Sequence, residues 1–496
     1  MKTLLLPLDE RPCNYYYPQM IGASNSEIDL LVPGTALLGD KKQPANTTNI
    51  AEFLCNNIAG CTNVIISVDM LVYGGLIPSR LHHVQEAELM KRLEVLRKLK
   101  ELNPSVRIYA FNCIMRTPQY NSSEEEPDYY EDHGFALFRR KYLQDYKERH
   151  GLSAEEQAEL DKIKIPQEYI HDYETRREVN LRVNMEVVNY LEQGIIDFLV
   201  IPQDDSSPYG YTAISQKRII AMVQEKQLDI KAMIYPGADE VALSLLTRAY
   251  HDYKNTEPAV YPFYASVLGP SIVPLYEDRP MFESLKSHIR VCKARLVATP
   301  QEADFILAIN CPGKFMEDTY NEAFDVTHYT WRNVLDFSMR IREYVNQGYK
   351  VAVSDSALCN GGDVKLVQYL DQLGVIDKLI SYAGWNTNCN TLGTTLAQAC
   401  IGEGVNIHNL LYRVIEDTGY QAIVRHDIES NDIERIGADY DDISNHLGQI
   451  GEIAKDKLQK FYNDMGVSKR HPINIVEITH PWKRLFEIGM KLEVLS

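Results

Sequence analysis

Two adjacent acidic residues, Asp204 and Asp205, follow an apolar run at 195–202, with Gln203 between the run and the pair. Such a run is typical of a buried parallel strand, and enzymes built on these strands carry their chemistry just beyond the carboxyl end. Because two neighbouring carboxylates cannot both ionise freely, their proton affinities are expected to separate. The pair could then supply an acid and an anion at one pH, as acid–base catalysis requires.

The two side chains share a site only if the strand ends before them, because successive residues of a regular strand face opposite sides. Pro202 and the turn-forming segment 206–210 favour such a break. The alternative interpretation is a helix N-cap beside a surface aspartate.

Apolar, β-branched segments alternate with amphipathic helical patterns such as 86–102 and 331–347, which is typical of parallel β/α units. We predict eight strands, at 3–8, 63–68, 106–111, 197–201, 231–235, 304–309, 349–353 and 378–382. Eight such units predict an α/β fold of the TIM type, a (β/α)8 barrel. The strand-like segments 28–32 and 258–265 do not fit this count, so an open doubly wound sheet remains the alternative.

The predicted domains are a catalytic barrel at 1–402, with a helical insertion at about 113–195, and a C-terminal helical region at 403–496. In the insertion, Ser153 and Glu156 form a capping-box pattern that predicts a helix at 154–164. The acidic, aromatic stretch 124–132 is interpreted either as a solvated loop or as a lid over the barrel mouth.

Polar side chains follow most of the predicted strands, and together they are suited to a polyhydroxylated ligand. Trp385 could form an apolar floor for a sugar ring, and Asn386 could bond hydroxyl or acetamido groups; the alternatives are a core tryptophan and a capping asparagine. The candidate substrate-binding residues are Asp9, Arg11, Asp69, Tyr73, Asn112, Asp239, Glu240, Asn360, Asp363, Trp385 and Asn386.

Composition narrows the function classes. The formal net charge of −18 disfavours nucleic acid and acidic membranes as partners. No apolar run is long enough to span a membrane, and charged residues interrupt the apolar start too early for a signal peptide. Nine cysteines without a Cys-x-x-Cys pair indicate reduced thiols, and we therefore predict a cytoplasmic protein.

No cofactor is expected, because the Gly-Gly and Pro-Gly pairs do not form a dinucleotide or P-loop motif. We also predict no metal site, although Mg²⁺ held by Asp9, Asp69 and Asp355 is an alternative. The expected partner is a small carbohydrate or glycoside. The oligomeric state is left open, with a homodimer as one option.

The segments LPLDERP at 6–12, YPGADE at 235–240 and AGWNT at 383–387 resemble a bacterial protein family catalogued as a domain of unknown function. A more distant resemblance is to the β-N-acetylglucosaminidases of glycoside hydrolase family 84. That family's barrel carries an Asp-Asp pair after strand four and Trp-Asn after strand eight. Asp204-Asp205 and Trp385-Asn386 occupy those places in the predicted strand order.

The second resemblance implies substrate-assisted cleavage, in which the acetamido oxygen of the sugar attacks the anomeric carbon. Asp204 would orient the acetamido group, Asp205 would protonate the leaving oxygen, and Asn386 and Asp363 would hold sugar hydroxyls. We therefore predict an exo-acting β-N-acetylhexosaminidase-like glycosidase.

Three alternatives remain open. The first is a two-carboxylate glycosidase that pairs Asp205 with Asp9, Glu240 or Asp355. The second is a metal-dependent hydrolase or transferase that uses the strand-end carboxylates, and the third is a non-catalytic carbohydrate-binding protein.

Overall fold

The computed structural model of the protein describes residues 1–495 and comprises two compact units. The first unit contains Met1–Glu10, Ile28–Ala242 and Tyr276–Asp278. The second contains Arg11–Glu27, Leu243–Leu275 and the chain from Arg279 onward. Both units are α/β structures with parallel sheets, so the predicted fold class is confirmed at this level.

The first unit is built on a six-stranded parallel sheet with the order β2-β1-β3-β4-β5-β6. Its strands are β1 (Lys2–Leu6), β2 (Asp29–Leu31), β3 (Asn63–Ser67), β4 (Arg107–Phe111), β5 (Phe198–Gln203) and β6 (Ala232–Pro236). Every residue of β3 and β5 is buried, as expected of apolar strands covered on both faces.

Helices connect these strands and cover the sheet. Their bounds are Thr47–Asn57, Val68–Tyr73, Leu76–Leu81, Glu86–Leu93, Val95–Leu102, Tyr130–His150, Ala154–Lys162, Gln167–Glu192 and Tyr211–Glu225, with a 3₁₀ turn at Thr35–Leu37. The helix Ala154–Lys162 begins with the predicted capping box: Ser153 Oγ accepts from the Glu156 amide, and the Glu156 carboxylate accepts from the Ser153 amide. This prediction is confirmed.

The second unit contains a five-stranded parallel sheet with the order β13-β11-β9-β7-β8. Two short parallel strands and a C-terminal antiparallel pair accompany it. The strands of the unit are β7 (Ala259–Tyr264), β8 (Arg295–Leu296), β9 (Phe305–Asn310), β10 (Glu317–Asp318), β11 (Val351–Asp355), β12 (Leu358–Cys359), β13 (Ser381–Ala383), β14 (Ile473–Thr479) and β15 (Gly489–Val494).

The helices of the second unit are more varied, and one long helical stretch includes π-helical turns. The α-helices are Pro12–Gly22, Met281–Val291, Val326–Thr330, Val334–Asn346, Val364–Gln372, Asn388–Ile401, Ile407–Arg413, Arg425–Ile428, Glu434–Ile436 and Leu447–Asp464, and Val241–Lys254 begins at the unit boundary. The π-helical segments are Val414–Val424 and Glu429–Ile433. Short 3₁₀ turns lie at Gly269–Ser271, Pro300–Glu302, Ile376–Lys378, Gly466–Lys469 and Pro481–Lys483.

All eight predicted strand segments overlap a strand, the last of them, 378–382, only at residues 381 and 382. The first five belong to the sheet of the first unit, and the last three are β9, β11 and β13 of the second. The two segments that did not fit the count are also strands, β2 and β7, and the two-residue β8 adds another. The region 403–496, predicted to be helical, ends instead in the antiparallel pair β14 and β15.

Candidate active site

The carboxyl edge of the first sheet carries a row of polar side chains. Parallel strands end at the same edge, and ligands of open α/β sheets bind there. The predicted site residues found in these positions are Asp9 after β1, Asp69 and Tyr73 after β3, Asn112 after β4, Asp204 and Asp205 after β5, and Asp239 and Glu240 after β6. Apart from the Asp204-Asp205 pair, these residues are buried, as expected of preorganised polar groups.

Asp204 and Asp205 turn toward the same partner. β5 ends at Gln203, and Asp205 has a left-handed backbone conformation with a φ of 44°. The Oδ2 atoms of Asp204 and Asp205 lie 3.9 and 3.1 Å from the same Nη1 atom of Arg116. The predicted break of the strand is therefore confirmed. The helix N-cap interpretation is wrong, because Gly210 is the N-cap residue of the next helix.

Two buried arginines bind this acidic pair. Arg80 Nη2 donates to Asp204 Oδ2 at 2.6 Å, and Arg116 Nη1 donates to Asp205. The same guanidinium groups also bind Glu125 and Glu126. Four carboxyl groups thus surround two guanidinium groups, so one carboxyl can carry a proton without leaving an arginine unpaired.

The acidic loop at 124–132 contributes two of these four carboxyl groups. Arg116 Nε donates to Glu126 Oε1 at 2.8 Å, and Arg116 Nη2 donates to Glu125 Oε2 at 2.9 Å. Glu126 is only 1% exposed, so the interpretation as a solvated loop is wrong for this residue. A role of the loop as a lid stays a prediction.

The protonation of Asp205 follows from its surroundings. Burial raises the pKa of Asp205 to about 7; the Arg116 guanidinium opposes this rise, and the neighbouring Asp204 carboxylate adds to it. Asp204 is salt-bridged to Arg80. The site therefore holds a group that exchanges a proton near neutral pH beside a carboxylate held by an arginine.

A buried acid, Asp69, follows β3, and β4 separates β3 from β5 in the sheet. Asp69 Oδ1 accepts from Asn112 Nδ2 at 3.2 Å, and Asp69 Oδ2 accepts from the Cys113 amide at 2.9 Å. Burial raises the pKa of Asp69 to about 6, although both hydrogen bonds lower it. Asp69 and Asn112, which were both predicted as site residues, are thus in direct contact.

Gln203, the last residue of β5, was not among the predicted site residues. Its side chain is buried, yet neither amide atom has a hydrogen-bond partner within residues 1–495. The hydroxyl of Tyr73 is likewise without a hydrogen-bond partner in the described chain. Because buried polar groups are normally paired, these two side chains are candidates for ligand contacts.

Trp385 and Asn386 belong to the second unit. Trp385 is 7% exposed, its Nε1 donates to Thr394 Oγ1 at 3.2 Å, and the ring of Tyr17 meets it edge-on. A cavity of about 20 Å³ borders Trp385 and Asn386, which is room for one water molecule. Within its own unit Trp385 therefore packs as a core residue, and its role as a sugar platform stays a prediction.

Asp363 and Asn360 also lie in the second unit. Asp363 Oδ1 caps the helix Val364–Gln372, and Asp363 Oδ2 lies 2.8 Å from Arg332 Nη1. Burial raises the pKa of Asp363, but Arg332 and Asn310 more than offset this, and the net pKa is lowered. Asn360 Nδ2 donates to Asp318 Oδ2 at 2.7 Å. Both residues therefore have internal structural partners.

The nearby Asp355 accepts from Asn310 Nδ2 at 2.8 Å and from the Tyr382 hydroxyl at 2.9 Å. Burial raises the pKa of Asp355 to about 7, and Asp363 adds to the rise. Arg11, the remaining predicted site residue, places its guanidinium 4.4 Å from the ring centre of Trp482. Asp355 and Arg11 both belong to the second unit, as do Trp385 and Asn386.

The described residues also bear on metal binding and on membrane crossing. No group of three or more His, Cys, Asp or Glu side chains within residues 1–495 is arranged to hold a metal ion. In the same part of the chain, no helix combines the length and the apolar character needed to cross a membrane.

The residues that sequence reasoning missed are mainly the cations. Arg116 stands a few residues after β4, where a strand-end position could have indicated it. Arg80 comes from the short helix Leu76–Leu81, and no local pattern indicates its contact with Asp204. Only the tertiary structure reveals that these two arginines bind the acidic pair.

Comparison with known proteins gives the family. No curated protein matches the chain significantly. The sequence model of one family, described as "Protein of unknown function (DUF4127)", matches residues 3–491, which is nearly the whole chain. The protein therefore belongs to this family.

Proposed function

We propose that the protein is a glycoside hydrolase, an exo-acting enzyme of the β-N-acetylhexosaminidase type that works in the cytoplasm on small N-acetylated glycosides. The observation that carries the proposal is the pair of carboxyl groups on Arg116: Asp205, whose pKa is raised to about 7, beside Asp204, which is salt-bridged to Arg80. A proton donor next to a held anion is the arrangement that acid–base catalysis of glycoside cleavage uses.

In the proposed reaction the acetamido oxygen of the sugar attacks the anomeric carbon. The Asp204 carboxylate accepts the acetamido N–H, which directs the acetamido oxygen and increases its electron density. Asp205 gives its proton to the leaving glycosidic oxygen, so the aglycone departs as a neutral alcohol. Asp205, now a carboxylate, removes a proton from the water that opens the cyclic intermediate, and its starting protonation state returns.

The other polar groups at this edge are suited to sugar hydroxyls. Asp9, Asp69, Asp239 and Glu240 provide acceptors, and Tyr73 and Gln203 provide a hydroxyl and an amide without internal hydrogen bonds. In our proposal these groups bind the terminal sugar and exclude water around it.

A finer version of the proposal concerns the fold. If the two parallel sheets close into one barrel of the TIM type, with β7 beside β9 as observed, the residues after β11 and β13 also reach the substrate. Asp363, Trp385 and Asn386 then bind the sugar, as in the family 84 enzymes that the sequence resembles. An experimental structure with a thiazoline mimic of the cyclic intermediate tests this version.

A screen with nitrophenyl glycosides tests the function. We expect hydrolysis of the N-acetylhexosaminide and much slower hydrolysis of the matching plain hexoside, because only the former carries the internal nucleophile. Asp229 is exposed and serves as the control, so Asp229→Asn keeps the activity that Asp205→Asn loses. Activity that disappears on chelation together with a stoichiometric divalent ion would favour the metal-dependent alternative, and binding without turnover would favour a binding protein.

A further inference from the structure

The second unit contains a large cavity, and of its lining residues the proposed hydrolase uses only Asp363, in the finer version of that proposal. Its volume is about 1020 Å³, at the upper end of the range for small-molecule sites. The segment 319–335 forms one wall, and the first turn of the helix Val364–Gln372 forms another.

The rim of this cavity exposes aromatic and aliphatic side chains. Tyr329 is 66% exposed and Trp331 is 44% exposed, and Val267 and Leu335 beside them are also exposed. Adjacent apolar side chains that remain in water indicate a binding surface. The exposed parts of the two rings offer apolar surface of the kind on which sugar rings pack. The ammonium of Lys314 lies 5.6 Å from the ring centre of Trp331, over one face of that ring.

The floor of the cavity is polar. Its arginine, Arg332, already binds other side chains of the protein. Arg332 Nη1 lies 2.8 Å from Asp363 Oδ2 and donates to Asn310 Oδ1 at 3.1 Å, while its Nε donates to the His328 carbonyl oxygen. Its Nη2 donates to His328 Nε2 at 2.6 Å. The guanidinium therefore does not present the free two-pronged edge that binds phosphate or carboxylate groups.

The imidazole of His328 is neutral for a geometric reason. Its Nε2 accepts a hydrogen from Arg332, so the ring proton is on Nδ1. Burial and the nearby guanidinium lower the pKa of His328 to about 4, in agreement with this geometry. The floor thus offers a neutral imidazole and an internally paired Arg-Asp couple.

The aromatic wall is held in place before any ligand binds. Glu317 Oε1 accepts from the Asp325 amide at 3.0 Å, and Asp325 Oδ1 caps the helix Val326–Thr330. Arg332 also forms an isolated β-bridge with Ser266. A preformed wall lowers the ordering cost of binding.

We infer that this cavity binds an uncharged oligosaccharide, whose rings pack on Trp331 and Tyr329 and whose hydroxyls meet the polar floor. An anionic ligand would meet no free guanidinium edge, and the ammonium of Lys365, which also lines the cavity, lies 5.0 Å from the ring centre of Tyr369. A lipid-like ligand would desolvate the ion pair of Arg332 and Asp363 without replacing its water contacts. The inference holds whether or not Asp204 and Asp205 catalyse hydrolysis.

Tryptophan fluorescence of the full-length protein tests the inference. Trp331 is the exposed one of the three tryptophans, since Trp385 and Trp482 are buried. Titration with tri-N-acetylchitotriose and with cellotriose should give a saturable change, and calorimetry should give the affinities. Adenosine monophosphate serves as an aromatic anion for comparison.

We expect Trp331→Ala to weaken trisaccharide binding about tenfold, and Trp331→Phe to weaken it less. Tyr253→Ala removes an exposed aromatic side chain that does not line the cavity, and it should leave binding unchanged. Asp205→Asn should also retain this binding while losing hydrolysis, so the two proposals fail separately. The inference is overturned if neither trisaccharide binds at millimolar concentration, if Trp331→Ala binds as well as the wild type, or if the nucleotide is preferred.

Discussion

The Oδ2 atom of Asp205 lies 3.1 Å from Nη1 of Arg116, and this contact does not prevent burial from raising the pKa of the carboxyl group to about 7. The guanidinium also binds Glu125 and Glu126, so its charge is shared among several carboxyl groups. Asp205 can therefore hold a proton near neutral pH in the presence of an arginine, as a general acid must.

The pH dependence of turnover follows from this pKa. Asp205 must be protonated to act as the acid, so kcat/KM should fall about tenfold per pH unit above pH 7. Steady-state kinetics with a nitrophenyl N-acetylhexosaminide gives the profile. The pKa of Asp69 is raised only to about 6. If the fall of kcat/KM at high pH moved to another pH in Asp69→Asn, the titrating residue would be Asp69 and not Asp205.

Stability should also respond to pH through Asp205. The folded-state pKa lies above the unfolded value of about 3.9, so the stabilisation is present below pH 4 and is lost as the pH rises through about 7. Between pH 4 and 8 the wild type should lose roughly 2–4 kcal/mol relative to Asp205→Asn. Urea unfolding at several pH values measures the difference. Equal pH dependence of the two proteins would contradict the raised pKa.

Substitutions at two residues of the acidic loop, Glu126 and Glu124, should lower the free energy of unfolding by very different amounts. Glu126→Gln removes one carboxylate from a buried network and should lower the free energy of unfolding by about 3 kcal/mol. Glu124 is 37% exposed and pairs with Lys41, so Glu124→Gln should cost less than about 1 kcal/mol. Chemical denaturation measures the free energy of unfolding of both variants. Similar losses in the two would show that Glu126 is not part of a buried ion-pair network.

Two of the three tryptophans of the second unit give another matched comparison. Trp385→Ala removes a buried ring and its hydrogen bond to Thr394, and should cost roughly 3–5 kcal/mol. Trp331→Ala should cost less than about 1 kcal/mol, because much of the side chain is already in water. Thermal unfolding distinguishes the two, and an undiminished melting temperature for Trp385→Ala would argue that its ring is not part of the core.

The sequence predicted the strands well because buried parallel strands leave a local signal, a short apolar run that ends in a polar turn. The positions of Asp69, Asn112 and Asp204 at strand ends could be inferred for the same reason. The pairing of strands is not local, and the pattern did not reveal that the last three predicted strands pair with β7 and β8 in a second sheet.

The electrostatic partners were also beyond sequence reasoning. Arg80 and Asp204 are 124 positions apart, and nothing in their neighbouring residues indicates that they meet. Trp385 illustrates the opposite case: its motif suggested an exposed platform, while in its unit it packs against Tyr17. A residue type indicates which chemistry is available, whereas burial decides how the side chain is used.

The most direct measurement is the turnover of a nitrophenyl N-acetylhexosaminide by Asp205→Asn, compared with the wild type and with the surface variant Asp229→Asn. Our account predicts hydrolysis by the wild type and Asp229→Asn, and a loss of at least about a hundredfold in Asp205→Asn, with the sugar still bound. Turnover by Asp205→Asn at the wild-type rate would contradict the assignment of this residue as the acid, and with it the proposed hydrolase.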